Sequence, residues 1–162
     1  MRISEGVEWG IHCCTLLAAL PPDRTLPSAR LAEYHGVPPA YLAKHLQALS
    51  RAGLVESVPG PRGGYRLARS AAQITVLDVV EAIEGNEPAF ECTEIRQRGP
   101  IAQAPECYPR KCGVARTMWA AEAAWQAALR AQTIDDLVAG VIEEAPPAAL
   151  TAGVEWLRQA AR

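Results

Sequence analysis

The chain has 162 residues, 49% of them hydrophobic and 21% charged, with a mean hydropathy close to zero and a formal net charge of -2. That is enough chain to bury one ordinary core, and no apolar run approaches the length a bilayer-spanning helix needs, so a membrane protein is excluded. Charge is unevenly divided: residues 1–75 carry eight Lys or Arg against five Asp or Glu, and residues 76–162 carry eight against thirteen, so the front half is the side expected to face phosphates.

From Ser4 to Leu20 the apolar residues Val7, Ile11, Cys14 and Leu17 recur at helical spacing until Pro21-Pro22, which predicts the first helix. Glu8 and His12, four residues apart, share a second stripe of it, with Trp9 and Cys13 beside them. Pro27 leads into SARLAEYHG, a short second helix closed by Gly36, and Pro38-Pro39 opens a third that runs to about Ala52 and ends at Gly53. Two short helices joined through a glycine and a proline pair form a helix-turn-helix. Leu54 to Val58 alternates, residues 59–64 form a turn and Tyr65-Arg66-Leu67 returns, which predicts a β-wing. Thr75 caps a fourth helix, Asp78 completes a capping box and Gly85 ends the element.

Residues 85–112 lack periodicity and hold Cys92, Cys107 and Cys112 among Pro88, Gly99, Pro100, Pro105 and Pro109, a loop long enough to expect a function of its own. Over 113–138 the residues Val114, Met118, Ala121, Trp125 and Ala128 are spaced four, three, four and three, the seam of a long dimerisation helix; the alternative is a stripe packed on its own domain. After Pro146-Pro147 a short helix is expected from Ala148 to about Ala160. The expected architecture is mainly α with a small β-wing. It comprises a winged helix-turn-helix DNA-binding domain at 1–84, a cysteine-bearing loop at 85–112, a dimerisation helix at 113–138, and a tail with a short helix at 139–162.

In a helix-turn-helix the second helix enters the major groove and residues near its start reach base edges, so Pro39, Tyr41, Lys44 and His45 are the candidates, with Leu42, Leu46 and Leu49 facing inward. Lys44 suits guanine or phosphate; Tyr41 is either a phosphate donor or a half-buried core aromatic. In the wing, Arg62 at the tip can enter the minor groove, and Gly63, Gly64 and Tyr65 complete the set. The two glycines serve a tight hairpin, a close approach to phosphates, or both; Arg66 and Arg69 add electrostatic contacts. The expected partner is a double-stranded DNA operator.

Five cysteines form an odd number, and the apolar stretch from Ile11 has no small-residue cleavage site behind it. A cytoplasmic protein using metal-bound or reactive thiols is therefore expected, in place of a secreted disulfide framework. Cys92-x14-Cys107-x4-Cys112 can wrap a soft metal or cluster, and zinc would accept the same spacing. On the bare geometry His12 is either a ligand or a polar helix residue, and Trp9 either a relay or a packed aromatic. Cys13 and Cys14 read as small buried helix residues.

The segment YLAKHLQALSRAGLVESVPGPRGGYRLAR, with its Ala52-Gly53-Leu54-Val55 and Gly63-Gly64-Tyr65 motifs, resembles the IscR and NsrR family of iron-sulfur winged-helix regulators, the Rrf-two family, over roughly residues 1–140. It departs from that family at Pro59, where many members place an arginine, at Ala43, where IscR-like proteins have a base-selecting glutamate, and in the long gap after Cys92. Glu8-Trp9-x-x-His12 and ECTEIRQRGP are similar to the redox-responsive members with a 2Fe-2S cluster and mixed Cys, Glu and His ligation. The resemblance implies a homodimer with a 2Fe-2S cluster held by Glu8, His12, Cys107 and Cys112, with Cys92 in reserve and the first two from the other subunit; Trp9, beside Glu8 on the first helix, is then the candidate redox relay. A 4Fe-4S cluster or zinc are the alternative cofactors. The implied activity is redox-sensing transcription regulation. A zinc-bound or apo repressor sensing thiol oxidation or nitric oxide is the competing function, and an iron-sulfur carrier a third. Catalysis is not expected, since the loop offers no general base beside its cysteines and no phosphate-binding motif.

Overall fold

Every apolar position of the predicted first-helix stripe faces inward except Ile11, which is half-buried: α1 (Glu5–Ala18) buries Val7, Cys14 and Leu17 and turns Glu8 and His12 to solvent. The computed structural model describes residues 3–60 and 63–162. Gly6 and Gly10 let α1 sit close to its neighbours; a Cβ on Gly10 would lie 2.5 Å from Ile83 Cδ1. The start of α1 is tied to the end of α4 (Val76–Glu84), because the Ser4 amide and hydroxyl both donate to the Glu84 carboxylate.

The helix-turn-helix is α2 (Ser28–His35) followed by α3 (Pro39–Arg51), and Gly36 ends α2 at φ +65°, a conformation in which any Cβ is strained. Leu42, Leu46 and Leu49 of α3 are completely buried, so truncating any one of them to alanine costs about 2–5 kcal/mol. The wing pairs β1 (Val55–Val58) antiparallel with β2 (Gly64–Leu67), Val55 opposite Leu67 and Val58 opposite Gly64. Thr75 and Asp78 form the capping box that the sequence predicts. These elements give a mostly helical winged-helix fold.

The helix expected over 113–138 is two helices, α5 (Gly113–Arg130) and α6 (Ile134–Glu144). The break has a physical cause. Thr133 and Asp136 make a second capping box, and the main chain at 132–134 leaves the helix to pair with 74–76 through Val76 N–H to Gln132 O, 2.8 Å, and Ile134 N–H to Ile74 O, 2.8 Å. Ile134 is then completely buried, and the last helix, α7 (Pro147–Ala160), adds Leu157 and Ala160 to the same core. The core of the segment 1–84 is thus closed by residues from the far end of the chain. The α5 stripe is divided: Trp125 and Leu129 cover Val7, Val76 and Val80, whereas Val114 and Met118 are exposed. Residues 85–112 contain two single turns, Ile95–Gln97 and Pro105–Cys107. Among the described residues no helix is long and apolar enough to cross a membrane.

Candidate nucleic-acid interface and sensor site

Pro39 occupies the first turn of α3, where its missing N–H costs nothing. Tyr41, 65% exposed, and Lys44 project from that helix into solvent. Tyr41 is therefore not a half-buried core aromatic. His45 behaves differently: it is half-buried, and a Cβ on Gly6 would lie 2.6 Å from its Nδ1, so the ring is wedged against the backbone of α1. Burial first, then the Lys44 charge, hold the His45 imidazole below its ordinary value against an opposing pull from Glu84.

In the wing, Gly64 is packed against the Leu26-Pro27 backbone and Gly63 against the turn, where its N–H donates to Gly60 O at 2.8 Å. Gly63 is therefore required by the hairpin itself, and Gly64 by the close approach of the 26–27 backbone. Arg62 lies outside the described residues. Tyr65 is half-buried against the core, Arg66 pairs with Glu56 across the wing, and Arg69 lies 3.6 Å from Asp78, so these arginines hold the wing in place.

Glu8 and His12 are both exposed and line one open cavity of about 410 Å³ on α1. One residue on from Glu8, Trp9 presents its edge to two rings of the recognition helix, Tyr41 at 6.3 Å and His45 at 5.8 Å. One face of α1 therefore carries the candidate ligands while the adjacent face touches α3. His12 also lies 5.8 Å from His35, a residue the sequence reading missed, whose Nε2 is buried without a hydrogen-bond partner. Burial, then the charge of His12, lower the His35 pKa, against a hydrogen bond with the His12 backbone. No spacing links two residues on different helices, so only the packing of α2 on α1 reveals the pair.

All five cysteines are free thiols. Burial pushes Cys13 and Cys14 up to about 12, Cys14 with some help from its neighbour's charge, so both are inert. Cys107 is exposed at the end of a single turn, Cys112 is half-buried at the start of α5, and Cys92 is half-buried. Arg96 holds this loop in shape. Its guanidinium pairs with Glu94, donates to Arg110 O at 3.1 Å and stacks 4.5 Å over the Tyr108 ring, while the Tyr108 hydroxyl donates back to Arg96 O at 2.8 Å. Glu94 carries φ +49°, a left-handed conformation that a non-glycine residue keeps only when its surroundings enforce it. Trp119 and Glu122 of α5 bind the loop at Phe90 O and Ala89 N.

Among the described residues of one chain, no three or more His, Cys, Asp or Glu side chains converge as a metal site. Glu8 and His12 share the cavity on α1, and no three of the four expected ligands meet among the described residues of one chain. As donors they suit iron: an exposed and a half-buried thiol, an imidazole and a carboxylate.

The family described as Rrf2, iron-dependent transcriptional regulator, matches residues 3–140. Protein aau3 of Rhizobium meliloti (strain 1021) is 39% identical over 139 residues, 85% of each chain. The chain spans about three fifths of the length of the curated relatives YwgB of Bacillus subtilis (strain 168) and YffB of Lactococcus lactis, 58% and 62%, at 36% and 37% identity. Among solved structures, CymR, the global cysteine regulator of B. subtilis, superposes with a TM-score of 0.67 at 24% identity, over 86% of this chain and 97% of that one. IscR of T. potens follows with a TM-score of 0.66 at 22% identity, over 90% and 93%. At those identities the likeness is one of fold.

Proposed function

This chain belongs to the Rrf2 family of DNA-binding transcription regulators, and we propose that it is a homodimeric redox sensor of the RsrR type, its operator affinity set by a 2Fe-2S cluster. Glu8 and His12 of one subunit and Cys107 and Cys112 of its partner would hold the cluster, with Cys92 in reserve. When bound, such a cluster exchanges one electron and so changes the charge at the site by one. A neutral imidazole in place of one thiolate raises its reduction potential relative to an all-cysteine site.

The observation that carries this reading is the position of Trp9. It follows Glu8 on α1 and touches Tyr41 and His45 of the recognition helix, so a displacement of α1 at the ligands is felt where bases are read. Tyr41 and Lys44 with the wing supply the DNA contacts, and His45 couples α1 to α3. Pro39, Arg62, Gly63, Gly64 and Tyr65 complete the proposed interface, and the exposed Val114 and Met118 supply the dimer seam.

Anaerobically purified protein should carry iron and sulfide in equal amounts, with the absorption and EPR signatures of a 2Fe-2S cluster. Cys107→Ala and Cys112→Ala should each bleach it, and full retention of iron and sulfide in both ends the assignment. Reduction should shift affinity for a duplex selected by the protein from a random-sequence pool, with iron content unchanged. Exposed, unpaired Cys107 favours one second reading, a zinc-bound or apo repressor that senses thiol oxidation or nitric oxide. It predicts zinc or no metal, and no sulfide.

A further inference from the structure

The family match ends at residue 140, and α7 lies wholly beyond it. Its inner face is nevertheless built into the DNA-binding unit at three places. Leu157 and Ala160 belong to the core cluster that contains Leu31 of α2 and Leu42 of α3. Trp156 sits 4.8 Å from the Tyr34 ring of α2 and beneath the Arg30 guanidinium at 5.0 Å, and Arg30 is itself paired with Glu33. Past the helix, the Arg162 main chain exchanges two hydrogen bonds of 2.9 Å with the buried Thr25.

The third fastening reaches the wing. Leu26, next to Thr25, exchanges two main-chain hydrogen bonds of 2.9 Å with Tyr65 of β2, and Gly64 is packed on the Leu26-Pro27 backbone. Pro27 then caps α2. One short segment, 25–27, thus receives the end of α7, receives the wing and launches the first helix of the helix-turn-helix. Both dependents are weak by themselves: α2 has only two turns, and a two-stranded hairpin is marginal without support.

We propose that α7 is a clamp on the DNA reader, in which Trp156 and the residue-162 backbone fix α2 and the wing in their DNA-binding positions, with Trp156 as a positioning residue. Without the clamp, α2 and the wing sample other positions, and the cost of ordering them reappears as weaker DNA binding. This does not depend on a metal.

The test uses the full chain, a duplex selected by the unaltered protein from a random-sequence pool, and fluorescence anisotropy, with hydrogen exchange at the Leu26 and Tyr65 amides. Trp156→Ala should weaken binding about tenfold, the factor that loss of a strong aromatic pair gives, and should speed exchange at those two amides while the Leu46 and Val79 amides keep theirs. Trp156→Phe, which keeps a ring on Tyr34, should restore both. Unchanged affinity, or a loss that Phe does not restore, overturns the proposal, as does exchange that rises equally throughout the core. Should Trp156→Ala not fold, Trp156→Leu keeps the apolar bulk and the same outcomes decide.

Discussion

Gly6 and His45 meet at the point where the candidate sensor helix touches the DNA reader. A methyl group on Gly6 would lie 2.6 Å from His45 Nδ1, and the Trp9 ring lies 5.8 Å from the same imidazole, so the imidazole must shift to admit it. Gly6→Ala is therefore expected to cost about 1–3 kcal/mol by overpacking, read as a lowered denaturant midpoint. Gly6→Ala with His45→Ala should recover most of that loss; additive losses in the double variant would show that the ring is not the obstacle. The sequence showed His45 only as a helix residue near the start of α3. Its wedge against a glycine 39 positions earlier is a property of packing, which residue spacing within one helix cannot carry. Tyr41, on the same helix, was legible as a candidate because it lies opposite the inward Leu42-Leu46-Leu49 face.

At the scale of elements, the junction of α1 and α4 is sensitive to acid. Two hydrogen bonds from Ser4, the side-chain one first, hold the Glu84 carboxyl below its ordinary value, with a smaller pull from His45. A carboxyl lowered by folding stabilises the native state above the unfolded value of 4.5, and that contribution is lost as pH falls through the lowered native value. Glu84→Gln should accordingly flatten the acid limb of the thermal midpoint against pH, and an unchanged limb would rule Glu84 out as a source. The cysteine loop makes a second element-level prediction. Arg96 joins residues 94, 108 and 110, so Arg96→Ala should leave the thermal midpoint nearly unchanged, being a surface change, yet lower the iron bound per chain. Full iron content in that variant would mean that the loop does not need its hub. The helix-turn-helix and wing were legible because glycine and proline punctuation coincides with a change of apolar period. The break at 131–133 was hidden because apolar spacing continues through Leu129 and Leu137, although Thr133-x-x-Asp136 repeats the Thr75-x-x-Asp78 signal.

For the whole molecule, one chain is an incomplete version of the proposed sensor. No three of its candidate ligands meet among the described residues, and those residues leave Val114 64% and Met118 42% exposed on α5. A second copy would meet both needs at once, covering the apolar face and bringing the thiols of one chain to α1 of the other. Val114→Glu with Met118→Glu places two carboxylates in that seam, where burial without partners is costly. The double variant is expected to sediment as a monomer and to lose its iron, although Glu8, His12, Cys107 and Cys112 are all intact. Binding to a two-half-site duplex should fall by about a hundredfold or more, since each chain would then bind alone. A dimer that survives the two glutamates would place the seam elsewhere on the surface. A monomer that keeps its full iron would show that one chain assembles the site by itself, and the shared cluster would have to be abandoned.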